Sequence, residues 1–286
     1  MQSDVPGEGS YALDPESPAE LARLINVHRF MTRGMGGPLA GVPDPSALQQ
    51  VLDMACGPGG WVLDVAFACP DAQVAGVDIS KGMVDYANAR AYSQGLHNAS
   101  FGVMNITQPL DFAENSFDLV NARFLFAVLY RDKWLPFLKE CKRILRPGGI
   151  IRLTEPVDLG ETTSPALERL HGLIIQAMSR AGYGFSPDAR TLGITPMLPR
   201  LLRDAGYQRL THLSHTVDVS QESEAWSDYY HSVEVATQLI RPLLNKIGNA
   251  TPAEVEQLCQ QTLIEMNGAD FCGLWHYFSV VGYKPE

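Results

Sequence analysis

The stretch VLDMACGPGG, residues 51–60, constrains the fold more than any other part of the sequence. A short apolar run ends in a turn carrying Gly57, Gly59 and Gly60, and a helical pattern follows through Val62, Val65 and Ala66. Glycines at such a turn let the backbone approach a ligand closely and let the helix start with no side chain in the way. The alternation continues downstream. QVAGVD (73–78), ASFGVM (99–104), SFDLVNA (116–122) and GIIRLTEP (149–156) read as strands, with helical stretches between them. Strands and helices alternating in this way imply right-handed crossovers and a parallel sheet.

The flanks are less regular. Residues 1–16 read as a loose arm. Ser17-Pro18-Ala19-Glu20 has the form of a capping box, opening a helix with Leu21, Leu24, Ile25, His28 and Met31 on one face. Ser80 and Asp132 stand where they can cap the second and third crossover helices, and Ser164-Pro165 and Thr195-Pro196 each open a helix. Residues 207–218 form a sixth strand, residues 221–267 read as wholly helical, and LWHYFSVVGY (274–283) is a strong final strand. The expected division is an arm and cap helix over 1–46, a cofactor-binding core over 47–220, a helical lid over 221–267, and the last core strand over 268–286.

With 45% hydrophobic and 19% charged residues in 286, the chain is globular. Its net charge of -10 argues against a nucleic-acid partner. No apolar run reaches the roughly 18 residues of a membrane helix, so no membrane insertion is expected. The polar, acidic N-terminus does not read as a secretory signal. Five scattered cysteines, with no CxxC pair, give no disulfide framework and no metal cluster, and suit a reducing cytoplasm. Oligomeric state is not legible.

Charge decides what the glycine turn holds. A dinucleotide fingerprint counted from Gly57 needs glycine at 62, where Val62 stands. Asp53, just before the turn, would repel a pyrophosphate and favour a cationic group. Asp78, about 20 residues on at the end of the second strand, can accept hydrogen bonds from ribose hydroxyls. A nucleoside with a cationic tail fits the pair, and S-adenosylmethionine is such a molecule.

At these motifs the chain resembles the class I S-adenosylmethionine-dependent methyltransferases of the small-molecule type, well over 47–156 and loosely elsewhere. The family's first motif, acid-x-Gly-x-Gly-x-Gly, appears as Asp53, Ala55, Gly57 and Gly59, with Cys56 between, so alanine replaces the first glycine. The resemblance implies ribose binding at Asp78 and Ile79, adenine contacts from Met83, Asn105 and Ile106, and Asn121 and Arg123 beside the methionine portion. It implies a Rossmann-like, mostly parallel seven-stranded sheet, helices on both faces, the last strand antiparallel, and a helical cap. It also implies methyl transfer by in-line displacement to a small, apolar or aromatic acceptor.

Methyl transfer from a sulfonium depends first on orientation, so no catalytic dyad is required. His28, on the first helix, and Tyr11, in the arm, are the candidate bases. Glu155, ending the fifth strand, and Trp226, Tyr229 and Tyr230, in the lid, are the candidate acceptor contacts. Other chemistry on the same cofactor fold (cyclisation or decarboxylation), a non-catalytic cofactor-binding partner subunit, and, more remotely, an NAD-dependent oxidoreductase stay open at this point.

Overall fold

A computed structural model describes residues 11–286. Five strands, β1 (Gln50–Met54), β2 (Gln73–Asp78), β3 (Ala99–Val103), β4 (Phe117–Arg123) and β5 (Leu145–Pro156), form the parallel part of one sheet. Three more complete it: β6 (Glu161–Thr162), β7 (Gln208–Asp218) and β8 (Gly273–Tyr283). The order runs β3-β2-β1-β4-β5-β8, with β8 antiparallel to β5, β6 and β7. The sheet therefore has eight strands where the sequence predicts seven, the addition being the two-residue β6. The topology is the expected Rossmann-like one, with the antiparallel final strand inserted between β5 and β7.

The crossovers are α2 (Gly60–Ala68), α3 (Lys81–Ser93) and α4 (Trp134–Ile144). The Ser80 hydroxyl caps α3 by accepting from the Met83 amide at 3.1 Å. Asp132 does not cap α4: it lies in a preceding 3-10 turn, and the cap position falls to Lys133. The helix expected from Thr195-Pro196 begins at Leu198 as α6 (Leu198–Asp204). β5 starts four residues before its predicted first residue, so the Pro147-Gly148 turn lies inside it.

The remaining helices form the cap. These are α1 (Pro18–Gly34), α5 (Pro165–Arg180), α7 (Trp226–Leu239), α8 (Arg241–Ile247) and α9 (Pro252–Met266). α1 lies along α7, and α5 packs on α8 and α9. Leu170, Leu173, Ile240, Leu244 and Val255 give this group a small core of its own. Val27, Phe30 and Met31 of α1 are buried with Tyr229, Trp275 and Tyr277, tying the cap to β8. The segment 221–267 lies between β7 and β8 in the chain but is not wholly helical, being non-helical at 221–225 and 248–251, and α5 packs with its helices.

Two features at the N-terminal side differ from expectation. The described end of the arm is not loose, because the Ala12 amide donates to the Ala127 carbonyl at 2.9 Å and the Tyr11 hydroxyl bonds Glu20. Glu20 does not close a capping box, and the Ser17 side chain makes no cap bond. Glu20 instead accepts two bonds from the Arg23 guanidinium at 2.7 and 2.6 Å. The helix also buries a different stripe, led by Val27 and Phe30, than the one its spacing predicts.

The glycine turn shows its purpose directly. Gly59 has φ +78, and a Cβ there would meet the Phe101 ring at 2.6 Å and the Ala87 Cβ at 2.8 Å. Ala55 carries φ +53 at the position where the resemblance calls for glycine, a conformation that disfavours any side chain. Gly59→Ala is therefore expected to cost about 2–4 kcal/mol through backbone strain and overpacking. Ala55→Gly is expected to be neutral or stabilising by up to about 1 kcal/mol, strain relief slightly exceeding the added chain entropy. Urea unfolding of the two variants checks both signs.

Candidate active site

The site begins where β1 and β2 end. Asp53 and Asn121 are register partners across β1 and β4, and Asn121 and Arg152 are partners across β4 and β5. The three side chains make one chain of bonds. Asn121 Nδ2 donates to Asp53 Oδ1 at 2.6 Å, and Arg152 Nε donates to Asn121 Oδ1 at 2.8 Å. Arg152 also donates to the Ala40 carbonyl at 3.0 Å and lies over the Trp61 ring. Burial pushes the Asp53 carboxyl up to about 6, restrained by Arg123 and the Asn121 bond. Burial likewise brings Arg152 down to about 9.

Asp78 holds the other side of the turn. Its two oxygens accept from the Gly57 amide at 2.8 Å and the Ser80 amide at 2.9 Å. Burial raises its pKa, and these backbone bonds oppose the rise. A carboxylate has about four lone-pair sites, so acceptor capacity is left for further hydroxyls.

One cavity of about 290 Å³ runs from this turn into the cap. Asp53, Ala55, Cys56, Gly57, Asp78, Ile79, Met83, Asn105, Ile106 and Arg123 line its polar end. Leu167, Leu170, Ile174, Met178, Val233 and Ala236, from α5 and α7, line the apolar end. Gly59 and Asn121, predicted to touch the cofactor, are off this wall. Gly59 is packed behind the turn, and Asn121 is fully buried beneath Asp53 as its support. Asn105 reaches the wall, but its carbonyl oxygen already accepts from Thr107 N and Thr107 Oγ1 at 2.9 and 2.8 Å.

The candidate bases are both engaged. His28 lines the cavity above Gly60, where a Cβ would meet its ring at 2.4 Å. Arg123 Nη2 lies 3.1 Å from His28 Nδ1, and a guanidinium can only donate, so Nδ1 accepts. Nε2 then carries the proton and donates to Asp64 at 2.9 Å. Burial lowers the His28 pKa, with Asp64 opposing the fall. That arrangement fixes the ring and leaves it no lone pair for a substrate proton. Tyr11 also lines the cavity, but burial and Glu20 raise its pKa far above its ordinary value, so it is no base at neutral pH.

The acceptor candidates divide. Tyr229 lines the cavity. Trp226 and Tyr230 stack on each other, with ring centroids 5.3 Å apart, away from it. Glu155 is also off the wall: its carboxylate accepts from the Leu125 and Phe126 amides at 2.8 and 3.0 Å. It holds the turn after Phe124, which has φ +58 and whose ring does line the cavity. Burial pushes Glu155 up to about 8 against the pull of those two amides. Sequence reasoning missed two contributions to the wall. One is α5, whose apolar face looked like ordinary core. The other is Arg23, whose Glu20 partner looked like a cap.

Comparison with known proteins agrees with this geometry. Residues 51–149 match the methyltransferase domain family. The methyltransferase pytC of Aspergillus terreus is 24% identical over 296 residues, covering 97% of this chain and 84% of that protein. The aklanonic acid methyltransferase DauC of a Streptomyces species is 34% identical over 124 residues, covering 43% of this chain and 55% of DauC. The matched domain and these relatives support a class I S-adenosylmethionine-dependent methyltransferase. As a methyltransferase it uses S-adenosylmethionine as its cofactor. The geranyl diphosphate C-methyltransferase of Streptomyces coelicolor, solved with geranyl diphosphate and S-adenosylhomocysteine, shares the fold (TM-score 0.52, 13% identity, 99% of this chain and 94% of that one). The donor set suits the cofactor. Two carboxylates flank the turn, and apolar side chains stand ready for a base. Among the described residues no lysine lines the cavity, and both of its arginines are bonded elsewhere, to Glu20 and to His28 and Thr32. No described helix of this methyltransferase is long and apolar enough to cross a membrane.

Glu155→Ala is expected to destabilise the protein by about 2–4 kcal/mol, since it leaves two buried amides without an acceptor. Urea denaturation measures it; a loss under half a unit on that scale would assign the turn to other contacts.

Proposed function

We propose that this methyltransferase transfers a methyl group by in-line displacement to a small, apolar or aromatic organic acceptor. One observation carries the reading: the cavity joins a carboxylate-flanked glycine turn to an apolar chamber enclosed by α1, α5 and α7. When bound, S-adenosylmethionine supplies a methyl carbon activated by its sulfonium charge. In this reading Asp53 faces the cationic methionine portion, with Arg123 beside it, and Asp78 takes ribose hydroxyls with the lone pairs its backbone bonds leave free. Ile79, Met83 and Ile106 offer apolar faces to adenine. Ala55, Cys56 and Gly57 bring backbone close to the ligand. The chain divides accordingly into a cofactor-binding core and a cap of α1, α5 and the helices of 221–267.

The task left to the protein is orientation in a dry chamber, an effect worth about 7–11 kcal/mol where two reactants are held in line. The engaged nitrogens of His28 favour a reaction with no histidine base there. The names of pytC and DauC, both methyltransferases and the latter acting on aklanonic acid, favour a small organic acceptor here too. Mass analysis after incubation with a panel of phenols and quinols tests the reaction: one methyl gained supports it, and a converted acceptor of unchanged mass overturns it in favour of cyclisation.

Two further outcomes follow from the cavity. With Asp53 at about 6 in the free protein, a ligand that sets an ammonium against it binds its ionised form preferentially. Affinity for S-adenosylhomocysteine should be flat at higher pH and fall by up to about tenfold per unit below the Asp53 pKa. Asp53→Asn should bind more weakly and lose that slope; a flat wild-type profile would remove Asp53 from the ligand. Ala236→Phe should fill the apolar end, cutting acceptor turnover by about tenfold or more while leaving S-adenosylhomocysteine affinity unchanged.

A further inference from the structure

The apolar end of the cavity contains two polar side chains that the fold leaves unsatisfied. His171 on α5 and Tyr229 on α7 both line it. His171 Nδ1 and Tyr229 Oη are buried and have no hydrogen-bond partner. The two side chains meet at Gly160. The Gly160 backbone bonds the His171 ring, and Tyr229 Oη lies 3.5 Å from where a Cβ on Gly160 would stand. Tyr277 also has an unpartnered hydroxyl, but it is not on the cavity wall.

A buried polar group left without a partner is costly to the fold. Two of them, from separate helices, at the end of a chamber whose hydroxyls at Ser232 and Thr237 are already bonded to Arg23 and the Glu234 carbonyl, make a complementary pair. In the neutral tautomer that carries its proton on the other ring nitrogen, Nδ1 offers a lone pair, and the phenol offers an O–H. We propose that His171 and Tyr229 are the specificity-determining anchor of the acceptor chamber and recognise a hydroxyl on an otherwise apolar acceptor. The hydroxyl donates to His171 Nδ1 and accepts from Tyr229 Oη. The inference rests on the reading of this chamber as the acceptor site and adds the polar group that the acceptor carries.

The anchor binds and orients; it does not take the proton. Burial drives the His171 pKa down to about 4, against the bond to Gly160, so the ring is neutral at physiological pH. So weak a base accepts a hydrogen bond without competing for the proton of a phenol or alcohol. A ketone would satisfy only Tyr229, and a hydrocarbon neither. Discrimination against the analogue that leaves such groups unpaired is the usual result of a site built this way.

The test uses the full chain saturated with S-adenosylhomocysteine and three probes: para-phenylphenol, its methyl ether and biphenyl. Calorimetry is expected to show para-phenylphenol binding about tenfold tighter than biphenyl, with the ether recovering only part of the difference. In Tyr229→Phe and His171→Leu the preference should shrink to about threefold or less, with S-adenosylhomocysteine affinity unchanged. Tyr229→Phe removes a single oxygen, and the wild-type comparison needs no variant, so misfolding of one variant cannot hide the answer. Equal binding of phenol and biphenyl to the wild type would overturn the anchor while leaving the apolar chamber intact. An undiminished preference in both variants would mean that the two atoms hold only a water, which also overturns it. Failure of all three probes beside normal S-adenosylhomocysteine binding would overturn the acceptor chamber itself, and the anchor with it.

Discussion

A carboxylate, an amide and a guanidinium lie in register across three parallel strands: Asp53 on β1, Asn121 on β4 and Arg152 on β5. Each is almost or wholly out of contact with water. A lone buried charge of this kind is untenable; paired through hydrogen bonds, it is tolerated. The chain of bonds places one acidic end at the mouth of the glycine turn and ties its basic end under Trp61 and Ala40. The glycine turn can come close to a ligand, and in the proposed reading Asp53 and Asp78 favour a nucleoside with a cationic tail over a pyrophosphate.

The cap depends on a second buried cluster. Glu20, Arg23 and Tyr11 are bonded to one another, and Arg23 also reaches Ser232 of α7 at 3.5 Å. These contacts draw the arm and α1 across the cavity and toward α7. Arg123 performs a similar linking role at the polar end, bonding Thr32 and His28 of α1 from the end of β4. The sheet thus supplies a fixed polar end, and the helices supply an adjustable apolar one. Exchanging α5 and α7 side chains would reshape the apolar end without touching the carboxylates.

The core of this arrangement was legible in the sequence because periodicity and glycine carry it. The five parallel strands, the turn at 57–60 and the acids at Asp53 and Asp78 all fall where their residue types require. What failed was orientation. Asn121 and Glu155 end strands near the cavity, but whether such a side chain faces the ligand or supports a neighbour depends on cross-strand register, which no single strand reveals. In α7, the adjacent Tyr229 and Tyr230 point about 100° apart around the axis, and only Tyr229 reaches the cavity; the aromatic cluster signalled a wall without saying which ring forms it. Glu20 had the spacing of a capping box, yet Arg23 and Tyr11 offered stronger partners than a backbone amide. His171 carries no motif signal in the sequence, and only the absence of a partner for Nδ1 in three dimensions sets it apart.

The claim at the centre is that the cavity is built for a nucleoside whose tail carries a cationic group, the ammonium that S-adenosylmethionine and S-adenosylhomocysteine share. Calorimetric titration of the purified chain with S-adenosylhomocysteine, and in parallel with NAD and NADH, tests it most directly. The structure predicts one-to-one binding of S-adenosylhomocysteine in the micromolar range and no heat from either dinucleotide. Binding of a dinucleotide, with none of S-adenosylhomocysteine, would contradict the role assigned to Asp53 and reverse the reading of the glycine turn.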